Sequence, residues 1–204
     1  MYVSTVRTIA LSALLFGVVL VLLWFVAEAR AQTTTPGPLD PVFIAQIEGA
    51  ANSPRGAVRS IDVIRNSGGR VSWSPRGELI LFDLDFFKAA NIYQYDLRNN
   101  RLETLASEGY NEHAHYFATG KKILWMSSAG NRNRGTDYWR MNADGSDKRR
   151  ITDLNNPANP GFGRKMIIAA DASFSPDGSR LVAFLQNGLS YTGALVLIEF
   201  DNVY

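Results

Sequence analysis

Two histidines, His113 and His115, are the only imidazoles in the 204-residue chain, and they stand two positions apart. On a strand that spacing sends both rings to one face and Glu112 to the other. A pair of imidazoles begins a metal site but does not complete one, because a zinc centre takes three or four protein ligands. The pair is therefore read as polar strand residues, and no metal is assigned. Asn142, Asp144 and Asp147 surround Gly145 in the manner of a calcium loop. The glutamate further along and the flanking helices of an EF-hand are missing, so the segment reads as an Asp-Gly hairpin turn. Gly188-Leu189-Ser190-Tyr191-Thr192-Gly193 misses the Gly-x-Ser-x-Gly spacing of a nucleophile elbow by one residue and has no strand-to-helix context, which makes it a hairpin loop. These candidates leave no catalytic, cofactor-binding or metal-ligating residue to assign, and the chain is expected not to be an enzyme.

Charge and cysteine content narrow the partners. Without Arg7, Glu28 and Arg30 the body holds 19 basic and 18 acidic residues, a nearly neutral surface that argues against nucleic acid. Arg132, Arg134, Arg140, Lys148, Arg149 and Arg150 form a basic stretch, but Asp137, Asp144 and Asp147 offset it, as on a solvated rim. There is no cysteine, which excludes disulfides, thiolate metal sites, a cysteine nucleophile and a lipidated N-terminal cysteine.

Attachment to a membrane then falls to the chain itself. Ile9 to Ala27 runs 19 positions without a charge. At about 1.5 Å per residue a helix of that length spans about 28 Å, the hydrocarbon thickness of a bilayer. Arg7 precedes it, while Glu28 and Arg30 cancel behind it, so the N-terminus is expected in the cytoplasm and the body outside. Ala29-Arg30-Ala31 before Gln32 also fits a signal-peptidase site, which keeps a cleaved signal peptide as the alternative. The expected organisation is a cytoplasmic N-terminus at 1–8, a transmembrane helix or signal core at 9–27, a Thr/Pro/Gly-rich linker at 28–41 and a periplasmic domain at 42–204.

The body repeats itself. Val71-Ser72-Trp73-Ser74-Pro75-Arg76-Gly77 and Ala172-Ser173-Phe174-Ser175-Pro176-Asp177-Gly178 are one pattern, an extended segment running into a tight turn. His115 to Gly120 is a degenerate copy that keeps an aromatic residue and the glycine. The glycines lie 43 and 58 positions apart, near the period of a four-stranded propeller blade, with an inserted loop expected at Asn155–Lys165. Apolar runs follow each turn at Leu79–Phe82, Ile123–Met126 and Leu181–Phe184, and read as strands buried on both faces. Third strands are expected at Asn91–Asp96, Asp137–Asn142 and Leu195–Asp201, and fourth strands at Arg101–Leu105 and Lys148–Thr152. Val42–Ile47 and Ala57–Ile64 are read as two further strands.

This pattern, with Asn142-Ala143-Asp144-Gly145 and Arg149-Arg150-Ile151-Thr152 completing the second copy, resembles the WD40-like repeat of TolB-type propellers. The resemblance covers Val71 to Asp201; Arg76 replaces the usual Asp in the first turn, and the middle turn lacks Ser-Pro. It implies an all-β propeller fold; the strand count makes it an incomplete or partial β-propeller of about three four-stranded antiparallel blades, and the run Ile9–Ala27 places one N-terminal transmembrane helix before it. The function expected is a non-enzymatic interaction or scaffolding domain on the periplasmic side of a bacterial inner membrane, spanning it once and touching lipid through residues 9–27. Its partners would be protein subunits of a transport, respiratory or photosynthetic complex, with no cofactor. The alternative is a soluble periplasmic TolB-like binding propeller.

Overall fold

The computed structural model describes residues 40–50, 59–86, 89–158 and 165–201. The chain divides into two units, residues 1–66 and 67–204. The expected membrane helix, the linker as far as Leu39 and the tip of the inserted loop lie outside the described residues. Among the described residues no helix is long and apolar enough to cross a membrane.

In the first unit Pro41–Gly49 forms a helix, α1, and not the strand expected at Val42–Ile47. Asp40 caps it, accepting the Val42 N–H at 2.9 Å, and Pro41 occupies the first turn, where its missing N–H costs nothing. Ile44 and Ile47, the two half-buried residues, are three apart, a helical spacing that overrides the β preference of Val and Ile. The strand expected at Ala57–Ile64 is also absent from its described part, residues 59–64.

The second unit is three antiparallel sheets, called blades here. Blade 1 is β1 (Gly69–Trp73), β2 (Leu79–Phe86), β3 (Ala89–Asp96) and β4 (Arg101–Ala106). Blade 2 is β5 (Asn111–Tyr116), β6 (Lys122–Ser127), β7 (Asp137–Asn142) and β8 (Arg149–Arg150). Blade 3 is β9 (Ile167–Phe174), β10 (Arg180–Asn187) and β11 (Gly193–Glu199). Each sheet is a meander in chain order, four, four and three strands wide.

The repeated turn is the same object three times. Gly77, Gly120 and Gly178 have φ of 72°, 70° and 73°, a conformation open to glycine at little cost. Each donates its N–H to the carbonyl three residues back, at 2.9, 2.8 and 2.8 Å. In the Ser-Pro copies the serine hydroxyl also accepts a backbone N–H across the turn, Leu79 to Ser74 and Arg180 to Ser175, both at 3.0 Å. Asp177 adds bonds from Ser175 Oγ, Ser179 N and Ser179 Oγ, which hold its carboxyl down at about 2. Where the middle copy departs from the motif, Thr119 takes over the aspartate's role and accepts the Lys121 N–H at 3.3 Å.

Blades stack through their faces. One core joins Leu81, Ile92 and Leu105 of blade 1 to Tyr116, Ile123 and Trp125 of blade 2. A second joins Leu124, Met126 and Tyr138 of blade 2 to Ala169, Leu181 and Ala183 of blade 3. β6 is thus buried on both faces, as its continuous apolar run implies. β10 is not: its first half alternates between exposed and buried residues, because among the described residues no further sheet covers its second face. β8 is shorter than expected, since Thr152 Oγ1 takes the Tyr138 N–H at 2.9 Å and the Asp137 carboxylate draws in Leu154 N at 2.6 Å, turning the chain off the ladder.

The turns give a direct test. A Cβ on Gly77 meets open space, so Gly77→Ala is expected to lower the unfolding free energy by about 1 kcal/mol through backbone strain alone. At Gly120 a Cβ stands 3.3 Å from Pro75 Cδ of the neighbouring blade, so Gly120→Ala is expected to cost more. Urea midpoints at unchanged slope measure both.

Candidate functional site

The first strand of each blade breaks register at the same repeat position. Shifts fall between Gly69 and Ser72 in β1, between Glu112 and His115 in β5, and between Ala169 and Ala172 in β9. Arg70, His113 and Asp171 occupy these bulges, each seven residues before its turn glycine. A bulge re-aims a side chain and locally ends pairing, which is why bulges collect at functional edges. Arg70 and His113 also carry left-handed φ values of 40° and 55°. That conformation costs a non-glycine residue about 1–2 kcal/mol, so neighbouring contacts must hold it.

They do so through one charged row across the three first strands. Arg70 Nη1 lies 2.6 Å from Glu112 Oε1 and 3.1 Å from Asp83 Oδ1. Asp83 Oδ2 accepts the His113 backbone N–H at 3.1 Å, so one buried carboxylate on β2 ties both bulges together. Tyr110 Oη donates to Glu112 at 2.6 Å. His113 Nδ1 reaches Asp171 Oδ1 at 2.7 Å, and the Asp171 carboxylate stands exposed at the end of the row. Arg70 is thus matched against Asp83, Glu112 and Asp171, and with neutral imidazoles the row is net anionic.

Both histidines lie close enough to Asp171 for its charge to act on them. The expectation that Glu112 turns away from them is corrected. The bulge inserts an extra residue between Glu112 and His115, strict alternation fails, and Glu112 Oε2 comes within 3.7 Å of His113 Nε2. Burial holds both imidazoles below their ordinary value, against the pull of Asp171. Among the described residues no group of three or more His, Asp and Glu is arranged to hold a metal ion.

The other candidates serve the scaffold. Asp144 Oδ1 accepts from Ser146 N at 3.0 Å and Ser146 Oγ at 2.6 Å, closing the β7–β8 hairpin. Ser190 Oγ is engaged inside its own hairpin, 2.6 Å from the Asn187 carbonyl and 2.7 Å from Thr192 Oγ1. Within the basic stretch Arg149 bonds Asp147 at 2.7 Å, and Arg150 lies 5.3 Å over the Trp139 ring while donating to Ala129 O at 2.8 Å. Asp137, fully buried, accepts from Asn131, Thr152 and Leu154.

Sequence reasoning missed Arg70, Asp83 and Asp171. Their signal was available, since Arg70 and Asp171 share the offset of His113 from the turn glycine. It also missed the polar pins between blades. Gln94 Nε2 donates to Tyr116 Oη at 2.8 Å and Ala143 O at 3.0 Å. Asn155 donates to Thr136 O at 2.9 Å and Ile167 O at 3.0 Å while accepting the Ile167 N–H at 3.0 Å.

No protein-family model matches the chain, and no curated protein does. Solved structures do match. A TolB from Acinetobacter baumannii superposes at TM-score 0.52 and 20% identity, over 70% of this chain and 33% of its own. A TolB-type protein from Agrobacterium tumefaciens superposes at TM-score 0.55 and 22% identity, over 68% of this chain and 48% of its own. The fold is that of a TolB-like β-propeller. The chain spans about a third to a half of the length of these two structures, and at such identity the likeness concerns architecture. The three-bladed arc thus carries its charged row on the first strands of its propeller blades.

The row predicts a pH dependence. The folded imidazoles titrate below the unfolded value of about 6.5, so the unfolded chain binds more protons as pH falls. Stability is present above that value and lost as pH drops through and below it. Urea unfolding at pH 7.5 and 5.5 should show this loss, and the double variant His113→Asn/His115→Gln should flatten it.

Proposed function

We propose that this propeller arc is a non-enzymatic protein-interaction module, held at the outer face of a bacterial cytoplasmic membrane as an accessory subunit of a larger membrane complex. One observation carries the reading. Leu81, Leu124 and Val182 occupy one repeat position, four residues after the turn glycine, and are 0%, 0% and 46% exposed. Their same-face cross-strand neighbours two pairs along, Ile92, Tyr138 and Leu195, are 0%, 1% and 77% exposed. A surface that blades 1 and 2 bury against the next sheet stands open and apolar on blade 3, together with Leu197. Contiguous apolar area of this kind marks a protein contact.

The engagement of the Ser190 hydroxyl within its hairpin supports a non-enzymatic role. The uncharged run Ile9–Ala27 behind Arg7 supports the anchor, and the near-neutral body supports protein over nucleic acid as partner. The Ala29-Arg30-Ala31 site favours a second reading, a processed and soluble periplasmic binding propeller.

Capture from native membranes in mild detergent, with intact-mass analysis, tests both. Full-length mass with a stoichiometric protein partner is expected; a soluble chain beginning at Gln32 would move the assignment to the second reading. Val182→Asp, on an already exposed side chain, is expected to weaken the captured complex tenfold or more, about 1.4 kcal/mol or greater. Undiminished capture by that variant would remove blade 3 as the contact.

A further inference from the structure

Three loops at one end of the blade 2 and blade 3 strands lie side by side. Gly188 N–H, in the β10–β11 hairpin, donates to Met166 O at 2.8 Å, just before β9. Thr136 N–H, at the end of the β6–β7 loop, donates to Ile167 O at 3.0 Å. The β6–β7 loop, the lead into β9 and the β10–β11 hairpin therefore form one continuous rim.

The rim carries side chains of two kinds. Arg132, Arg134 and Lys165 are exposed cations, and none of the three side chains is held by an ion pair or hydrogen bond. In these loops and in residues 151–158 the one carboxylate is Asp153, which stands 3.8 Å from Arg150. Leu189 and Tyr191, at the tip of the hairpin, are 78% and 86% exposed.

The backbone is held so as to keep these side chains out. Arg134 and Tyr191 have φ of 63° and 53°, left-handed values that glycine or asparagine would adopt more easily. Around Arg134, Asn131 Nδ2 donates to Gly135 O at 2.8 Å and Asn133 Oδ1 accepts the Gly135 N–H at 3.0 Å. Asn133 Nδ2 in turn donates to Asn155 Oδ1 at 2.9 Å, which ties the loop to the chain before β9. Around Tyr191, Ser190 Oγ and Thr192 Oγ1 lie 2.7 Å apart and bracket the residue. Strain kept at two side chains that form no hydrogen bond inside the protein points to a role outside it.

We propose that this rim seats on the headgroup layer of a bilayer containing anionic phospholipid. Leu189 and the Tyr191 ring enter the boundary between headgroups and acyl chains, while Arg132, Arg134 and Lys165 meet the lipid phosphates. Two features favour a bilayer over a protein. The apolar side chains stand on a hairpin tip and not in a groove, and a fluid headgroup layer accepts such a wedge without a matching pocket. The unpaired cations are spread over two loops, so a sheet of phosphates answers all three at once. The inference rests on the anchored reading of Ile9–Ala27 for access to the bilayer, and concerns a different surface from Val182.

The test uses the full chain, whose lack of cysteine lets single cysteines report position. Leu189→Cys and Tyr191→Cys carry an environment-sensitive nitrobenzoxadiazole label. Arg180→Cys, at the opposite end of β10 and about 23 Å from the hairpin, is the control. Each is reconstituted into phosphatidylcholine vesicles with or without about one-third phosphatidylglycerol. In the mixed vesicles emission at positions 189 and 191 should shift to the blue, and position 180 should stay aqueous. Salt at about 1 M, where the screening length falls to about 3 Å, should reverse the shift. Arg132→Gln/Arg134→Gln, on exposed and unpaired side chains, should lower the ratio of seated to free rim about 25-fold, or about fivefold per cation.

Aqueous emission at 189 and 191 in the mixed vesicles overturns the inference, as does an equal shift at 180, which would report the domain lying on the surface without preference for this rim. A shift that the double glutamine variant leaves unchanged overturns the assignment to anionic lipid. A shift found in native membranes and absent from protein-free vesicles overturns it in favour of a protein partner. Flotation with pure phosphatidylcholine vesicles reads the anchor separately: a chain that stays in solution removes the anchored reading, and the labels in anionic vesicles still decide the rim.

Discussion

A four-stranded antiparallel sheet with apolar residues on both faces cannot stand alone in water, and that constraint organises this molecule. Each blade must lay one face on its neighbour. The residue four positions after each turn glycine records the outcome, because Leu81 and Leu124 are sealed between blades while Val182 is open. Burying a side chain of this size stabilises by about 1.5–3 kcal/mol, so two stacked interfaces with several such residues each outweigh any single turn or ion pair. The glycine turns matter because they set the register that puts these residues on the stacking face. A slip of one residue would send every apolar side chain to the wrong side.

Polar groups then fix how the blades meet. Apolar stacking tolerates sliding, whereas a buried amide tolerates only the geometry that satisfies it. Gln94 and Asn111 lock blade 1 to blade 2: Asn111 Oδ1 accepts Trp125 Nε1 at 3.0 Å, and its amide reaches Ala90 O at 3.2 Å. Between blades 2 and 3, Tyr138 Oη donates to Ala170 O at 2.9 Å and Thr136 Oγ1 to Ala169 O at 3.0 Å. Burial pushes the Tyr116 phenol up to about 12 and the Tyr138 phenol higher still, so both stay neutral donors or acceptors across the physiological range. The charged row adds a third kind of link. Asp83 holds Arg70 by its side chain and His113 by its backbone, and so couples two strained bulges to one carboxylate. Removing one member of such a buried group strands the rest, so the row resists piecemeal change.

The asymmetry of the arc follows from the same physics. Blades 1 and 2 each have a neighbour on the trailing side and a fourth strand outside. Blade 3, among the described residues, has neither, and its apolar face and unpaired edge adjoin one another. The asymmetry is a consequence of repeat architecture: the kind of surface that joins blades 1, 2 and 3 internally stands exposed on blade 3 among the described residues.

The sequence by itself determined the blades, since turn chemistry and strand periodicity are local and act within a few residues. Ser-Pro-Asp-Gly and the apolar run behind it place β10 without any knowledge of its neighbours, and even the degenerate turn at Ala118–Thr119 keeps its glycine geometry. Where local signals conflict, as at Val42–Ile47, the β preference of the side chains misled; the Asp40–Pro41 cap was the stronger cue to the helix that forms. Only the tertiary structure decided that Glu112 lies beside His113, that Arg70 and Asp171 join them, and that β10 is buried on one face. Those outcomes depend on bulges and on which sheet stacks against which. Bulges shift register by one residue without leaving a composition signal, and stacking joins residues more than 30 positions apart, such as Tyr138 and Ala170.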